Sequence, residues 1–203
     1  MTKTKGMLAL ILAFCVMWTG CSTSWLTTLD SILAAAAPAI INILEIVAVA
    51  KNQAPNTQLE NKIRTDAATI KSLATDFANA AADSAPGVCK QLDAAINVYQ
   101  QDLVQVLQLA QVSDPNTQSK VTILTTLVAT TIEGIIAVIP SCNAAQVKNV
   151  KAQPPFELKH FISNYNSALT AKTGNAPVDK LTPKLKLHQH NAFVRAITFG
   201  QLQ

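Results

Sequence analysis

The side chains best suited to covalent chemistry are four cysteines, and they fall into two groups along this chain of 203 residues. Cys15 and Cys21 lie within or just after an apolar N-terminal run, whereas Cys89 and Cys142 lie in the body of the chain. A cysteine sulfur can be acylated, oxidised to a disulfide or bound to a metal, and its surroundings decide which. The two groups therefore need separate interpretations.

The first twenty-one residues have the layout of an export signal. Lys3 and Lys5 precede an apolar run from Met7 to Trp18, and this run is shorter than the ~20 residues that a membrane-spanning helix needs. A basic start, a short apolar run and small residues at its end are typical of a secretory signal peptide. An uncleaved N-terminal membrane anchor is the alternative.

The apolar run ends in Trp18-Thr19-Gly20-Cys21, and Ser22 follows. This stretch resembles the lipobox of bacterial lipoproteins, in which a leucine-like residue, a small residue and Gly or Ala precede an invariant Cys; Trp18 departs from that pattern. The resemblance implies that residues 1–20 are a signal peptide and that Cys21 is acylated, with palmitate for example, and tethers the protein to the lipid bilayer. It also implies, because Ser22 is not Asp, an outer-membrane location facing the periplasm of the bacterial cell envelope.

Cys89 and Cys142 are expected to form a disulfide. The segments on either side of Asp114-Pro115 are predicted helices, and a short loop usually joins antiparallel neighbours. Cys89 begins the first helix and Cys142 follows the second, so both should lie at the same end of the pair, and an exported protein meets oxidising conditions. Such a bond would stabilise the fold by roughly 4 kcal/mol. Two buried free thiols are the alternative.

No other residue pattern indicates catalysis, a metal or a cofactor. His188 and His190 could share one side of an extended chain, but His160 is the only further histidine, so we expect no metal site. The sequence contains no nucleophile-elbow, Walker, dinucleotide-binding or zinc-protease motif. We therefore expect no catalytic residues, no cofactor and no enzymatic activity.

Composition and periodicity predict an all-α fold. Hydrophobic residues make up 49% of the chain, whereas only 5% are aromatic and six are glycine, which is typical of helical proteins. Three- and four-residue spacing of apolar residues predicts amphipathic helices at residues 56–82 and 88–112. More uniformly apolar segments predict helices at residues 25–51, with a kink at Pro38, and 116–139. We expect a four-helix, up-down bundle followed by a small helical or irregular extension.

The helices predicted at residues 25–51 and 116–139 are apolar enough to form either the centre of the bundle or a membrane insertion. Asp30 and Glu45 in the first, and Glu133 in the second, would be costly in hydrocarbon. We therefore favour the bundle interior. The three carboxylates then become candidates for burial, close to helix ends, threonines or water.

Charge divides the mature chain into a helical bundle at residues 21–145 and a basic extension at residues 146–203. Residues 22–145 contain six Lys and Arg against ten Asp and Glu, whereas residues 146–203 contain eight against two. The extension is predicted to hold a short helix at 156–172 and a strand or extended segment at 184–187. Its candidate partner-binding residues are Lys180, Lys184, Lys186 and Arg195.

A basic surface on a tethered protein could bind an anionic envelope component or a protein partner. Alternatively, the extension packs against its own acidic bundle. We expect no nucleic-acid partner, because no basic motif is interleaved with aromatic residues.

These features favour a non-enzymatic, membrane-tethered lipoprotein with a structural or interaction role in the bacterial envelope. A membrane-inserting helical bundle is one alternative. A carrier that holds an apolar, lipid-like ligand in the bundle core is the other.

Overall fold

The computed structural model describes residues 24–81, 84–138 and 156–188, and every regular element in these ranges is helical. The predicted all-α class is confirmed for this part of the chain. The elements are α1 (Ser24–Ala50), α2 (Thr57–Asn79), α3 (Ala85–Leu109), α4 (Pro115–Val138), α5 (Leu158–Thr170), α6 (Ala176–Leu181) and a 3₁₀ helix (Thr182–Leu185).

Helix α1 lies at the centre of the fold and packs against each of the other five α-helices. Its side chains Ile32, Ile43 and Ile46 are fully buried. Within the described ranges it is the one helix long and apolar enough to cross a membrane, yet 78% of its most apolar stretch is buried inside the protein. A helix without a polar face is stable in water only when neighbours cover it, and the other helices provide that cover.

The proline in the middle of α1 does not end the helix, which continues from Ser24 to Ala50. Because Pro38 has no N–H, the carbonyl of Ala34 lacks its usual helical donor. Both residues line a surface pocket, so water can reach that carbonyl. The bend expected at Pro38 remains a prediction.

Polar contacts are made at the start of α2 and at the end of α3. The Asn56 side chain accepts a hydrogen bond from the Leu59 N–H at 3.1 Å and so caps the start of α2. The Lys51 ammonium donates to the Leu109 carbonyl at 2.8 Å, at the end of α3, where a cation also interacts favourably with the helix dipole.

Helix α4 begins as the sequence predicts but packs differently. The Asp114 carboxylate accepts a hydrogen bond from the Thr117 N–H at 2.8 Å, and Pro115 is the first helical residue. Its buried side chains include Leu124 and Val128, and α4 contacts α1 far more extensively than it contacts α3. The short loop suggested α3 as its main neighbour. The apolar circumference of α1, however, requires cover from several helices at once.

Residues 156–188 contribute to the same hydrophobic core as α1. Phe161, Tyr165 and Leu169 of α5 are buried in that core, and the Tyr165 hydroxyl donates to the Ala39 carbonyl of α1 at 3.0 Å. Burial raises the pKa of Tyr165, so the hydroxyl remains a donor throughout the ordinary pH range.

The structure differs from the sequence expectation between residues 176 and 188. Residues 174–177 were expected only to end the preceding helix, which does end at Thr170. In addition, α6 begins at Ala176, because the Asn175 side chain accepts from the Val178 N–H at 3.3 Å and proline fits the first turn of a helix. A strand or an extended segment was expected at 184–187. No strand forms here: the 3₁₀ helix reaches Leu185, and residues 186–188 continue without regular structure.

Candidate functional site

A surface pocket of about 230 Å³ lies where α1, α2, α5 and the segment after α6 meet. Its apolar lining includes Pro38 and Ile41 of α1 and Ile162 of α5. Its polar lining is formed by Asn42, Glu45, Arg64, Lys184, Lys186 and His188. The pocket thus combines an apolar wall with a predominantly cationic one.

Two asparagine side chains fix the backbone that carries the pocket's lysines. The Asn42 amide of α1 donates to the Leu185 carbonyl at 2.7 Å. The Asn166 amide of α5 donates to the Leu187 carbonyl at 2.8 Å and also accepts from the Leu187 N–H at 2.8 Å. Asn42 is buried, and a buried amide is stable only when hydrogen-bonded, so this contact anchors the segment to the core.

The fixed backbone directs alternate side chains to different surroundings. Leu187 is buried and Leu185 is half-buried, whereas Lys184, Lys186 and His188 are exposed. All five line the pocket. The alternation of lysine and leucine noted in the sequence therefore places charges at the solvent side of an apolar pocket.

The charge balance of the pocket favours anions. Arg64, Lys184 and Lys186 are cations at neutral pH, and Glu45 is the one carboxylate among the lining residues that the structure describes. A cleft lined by one sign of charge on an apolar wall concentrates ligands of the opposite sign.

The loop between α5 and α6 is fixed by a buried lysine and an aspartate. The Lys120 ammonium of α4 donates to the Leu169 carbonyl at 2.8 Å, near the end of α5, and burial lowers the pKa of Lys120. The Asp179 carboxylate accepts from the Thr173 N–H and hydroxyl, both at 2.9 Å, and from the Gly174 N–H at 3.1 Å. These contacts position α6 and the lysine-bearing segment that follows it.

A second polar cluster joins α2 to α3. The Lys62 ammonium lies 2.7 Å from Asp66 Oδ2 and 2.7 Å from both carboxylate oxygens of Asp102. The Asp102 side chain is only 6% exposed, and burial raises its pKa, an effect that Lys62 opposes. The adjacent Tyr99 hydroxyl is buried and has no hydrogen-bond partner among the described residues. We interpret this cluster as a structural link between the two helices.

The predicted partner-binding residues do not all lie in the pocket. Lys184 and Lys186 line the pocket, whereas Lys180 is exposed on α6 and is not part of its lining. Arg195 lies outside the described residues, so its role stays a prediction.

The predicted cysteine chemistry also rests partly on residues outside the described ranges. Cys21 and Cys142 both lie there. Cys89 is fully buried in the first turns of α3. The lipidation of Cys21 and the pairing of Cys89 with Cys142 stay predictions.

The three carboxylates considered for burial differ from one another. Glu133, a candidate for burial, is exposed on the solvent side of α4. Asp30 is half-exposed and pairs with Lys71 at 2.9 Å. Glu45 is half-buried and lines the pocket.

No group of three or more metal-ligating side chains occurs among the described residues. His160 lies 3.1 Å from a Glu157 carboxylate oxygen, and His188 lines the pocket. His190 lies outside the described residues.

Sequence reasoning missed Arg64, His188 and the two asparagines as parts of one site. Asn42 and Glu45 carried a signal, because they are polar residues in an otherwise apolar helix. Arg64 carried none, since α2 has several exposed charges and only the fold selects the one next to the pocket.

Comparisons with protein-family models, with curated proteins and with solved structures returned no match.

The Asp179 carboxylate should make stability depend on pH. Its hydrogen bonds from the Thr173 backbone, the Thr173 hydroxyl and the Gly174 backbone lower its pKa from the ordinary value of 3.8. A lowered folded-state pKa stabilises the protein above about pH 4, and this stabilisation is lost as the pH falls through the folded value. Asp179→Asn should therefore reduce stability by about 1 kcal/mol at pH 7 and weaken the acid dependence, as measured by thermal unfolding from pH 2 to 7.

Asp76→Asn, at an exposed position on α2, is the matched control. Equal effects of the two substitutions at pH 7 would contradict the assigned role of Asp179.

Proposed function

We propose that this protein is a non-enzymatic lipoprotein, tethered by acylated Cys21 to the outer membrane of a bacterial envelope, that binds an anionic envelope component. The observation that carries the binding role is the pocket in which Arg64, Lys184 and Lys186 surround an apolar wall. The support for the tether is the lipobox-like end of the leader, Trp18-Thr19-Gly20-Cys21. Helix α1 starts at Ser24, so the folded part would begin next to the membrane surface.

We further propose that α1–α4 form an up-down bundle. The Asp30–Lys71 pair joins the start of α1 to the later part of α2, and the Lys62–Asp102 pair joins the start of α2 to the later part of α3. Both contacts support antiparallel neighbours. A Cys89–Cys142 disulfide at one end of this bundle is part of the same proposal.

The tether can be tested by metabolic labelling with palmitate in a bacterial host. The wild-type chain should incorporate label, and globomycin should block its processing. Cys21→Ala should abolish both the label and the processing, whereas Cys15→Ala should leave the label intact. A Cys21→Ala chain that still takes up label would contradict the lipoprotein assignment.

The binding role can be tested with the full chain in a nonionic detergent on an immobilised polyphosphate column. Removing two positive charges from the pocket should reduce retention, since each cation near an anionic surface contributes about 1 kcal/mol. Lys184→Gln/Lys186→Gln should therefore elute at clearly lower salt than the wild type.

Lys159→Gln/Lys172→Gln is the charge-matched control, because both lysines are exposed in the same C-terminal part and neither lines the pocket. An equal shift for the two double variants would mean that only net charge matters, and it would refute the proposed binding surface.

A further inference from the structure

The pocket contains a feature that a site for a purely ionic partner does not need. Pro38 and Ile41 of α1, Ile162 of α5 and the leucines at 185 and 187 form an apolar wall next to the cations. An inorganic anion or a hydrophilic polymer would make no use of that wall. A neutral apolar molecule would make no use of the cations.

We propose that the pocket binds a small amphiphilic acid, with one carboxylate or phosphate headgroup at Lys184 and Lys186 and a short apolar body against Pro38, Ile41 and Ile162. This inference rests on the proposed anion-binding role and adds the chemical class of the ligand. A free short-chain acid and a membrane lipid with an anionic headgroup share this chemistry.

The size of the pocket limits the ligand. A cavity of about 150 Å³ holds benzene, which has six carbons, so a volume of about 230 Å³ has room for a body of roughly eight carbons. An acid with a chain of six to eight carbons therefore matches the space, whereas a longer chain would extend into solvent.

The backbone next to the cations is preorganised. The Asn42 and Asn166 amides hold the carbonyls of Leu185 and Leu187 at 2.7 and 2.8 Å, so this segment is already ordered before a ligand arrives. Ordering a loop on binding weakens affinity, and a fixed backbone avoids that cost. Only the exposed lysine side chains need to adjust to the headgroup.

These features predict a characteristic dependence of affinity on chain length. Each methylene group buried against the apolar wall should strengthen binding about threefold to fourfold. The increase should stop at about eight carbons, where the pocket is full. Neutral alcohols of equal length should bind at least about tenfold more weakly than the acids, because they make no charge-assisted hydrogen bond.

The test uses the full chain, labelled with ¹³C-histidine, in a deuterated nonionic detergent. The ring signal of His188 reports on the pocket, is assigned with His188→Gln, and is compared with the signal of His160, which lies outside the lining. Butanoate, hexanoate, octanoate and decanoate are titrated beside hexanol and inorganic phosphate. A second arm compares lysophosphatidylglycerol with lysophosphatidylcholine in the same detergent.

The proposal predicts shifts of the His188 signal by the acids, with affinity rising to octanoate and then levelling. Lys184→Gln/Lys186→Gln should weaken hexanoate binding about tenfold and leave hexanol binding unchanged. Lys159→Gln/Lys172→Gln should change the affinity for neither ligand. A response to lysophosphatidylglycerol alone would support a lipid as the source of the headgroup.

An affinity for hexanol or for phosphate equal to that for hexanoate would overturn the proposal. The absence of any change in the His188 signal in both arms would also overturn it. Loss of polyphosphate retention in the Lys184→Gln/Lys186→Gln variant is a separate measurement. If that loss is seen but the amphiphilic acids do not bind, the anion-binding function stands and only the proposed ligand class is wrong.

Discussion

The burial of α1 is the constraint on which the rest of the structure depends. This helix is apolar around most of its circumference, so most of its surface must be covered before the chain is stable in water. Helices α2, α4 and the C-terminal residues 156–188 all contact it. The packing of α4 mainly on α1 is consistent with this requirement, because burial of the apolar surface of α1 is favourable.

The few polar groups of α1 explain how a binding site can lie on a helix that is otherwise core. Asn42 is buried and makes a hydrogen bond with the backbone at Leu185, so one amide joins the centre of the fold to the lysine-bearing segment. Pro38 removes the usual helical donor of the Ala34 carbonyl, and both residues line the pocket. Three residues that interrupt the apolar pattern of α1, Pro38, Asn42 and Glu45, thus line the pocket.

The sequence predicts the helix boundaries well, but it predicts poorly which helices pack against each other. Spacing of apolar residues placed α2 and α3 within a few residues of their observed ends, and Asp114-Pro115 correctly marked the start of α4. The α6 helix was missed because proline both ends helices and begins them, and only the Asn175 cap distinguishes the two cases.

The pocket could be predicted only in part. Lys184 and Lys186 were identified from their charge and from their alternation with leucine. The contact between Asn42 and Leu185 joins residues 143 positions apart, and Arg64 comes from another helix. No local pattern encodes such pairings, since they depend on how the helices pack around α1.

The central claim is that α1 is covered by protein and not by lipid. The most direct measurement is labelling of the full chain, reconstituted in a bilayer, by a photoactivated carbene probe confined to the hydrocarbon, followed by mapping of the modified peptides. Residues 25–50 should carry no more label than the amphipathic helix α2. Continuous labelling along residues 25–50, at a level typical of a lipid-exposed span, would contradict it.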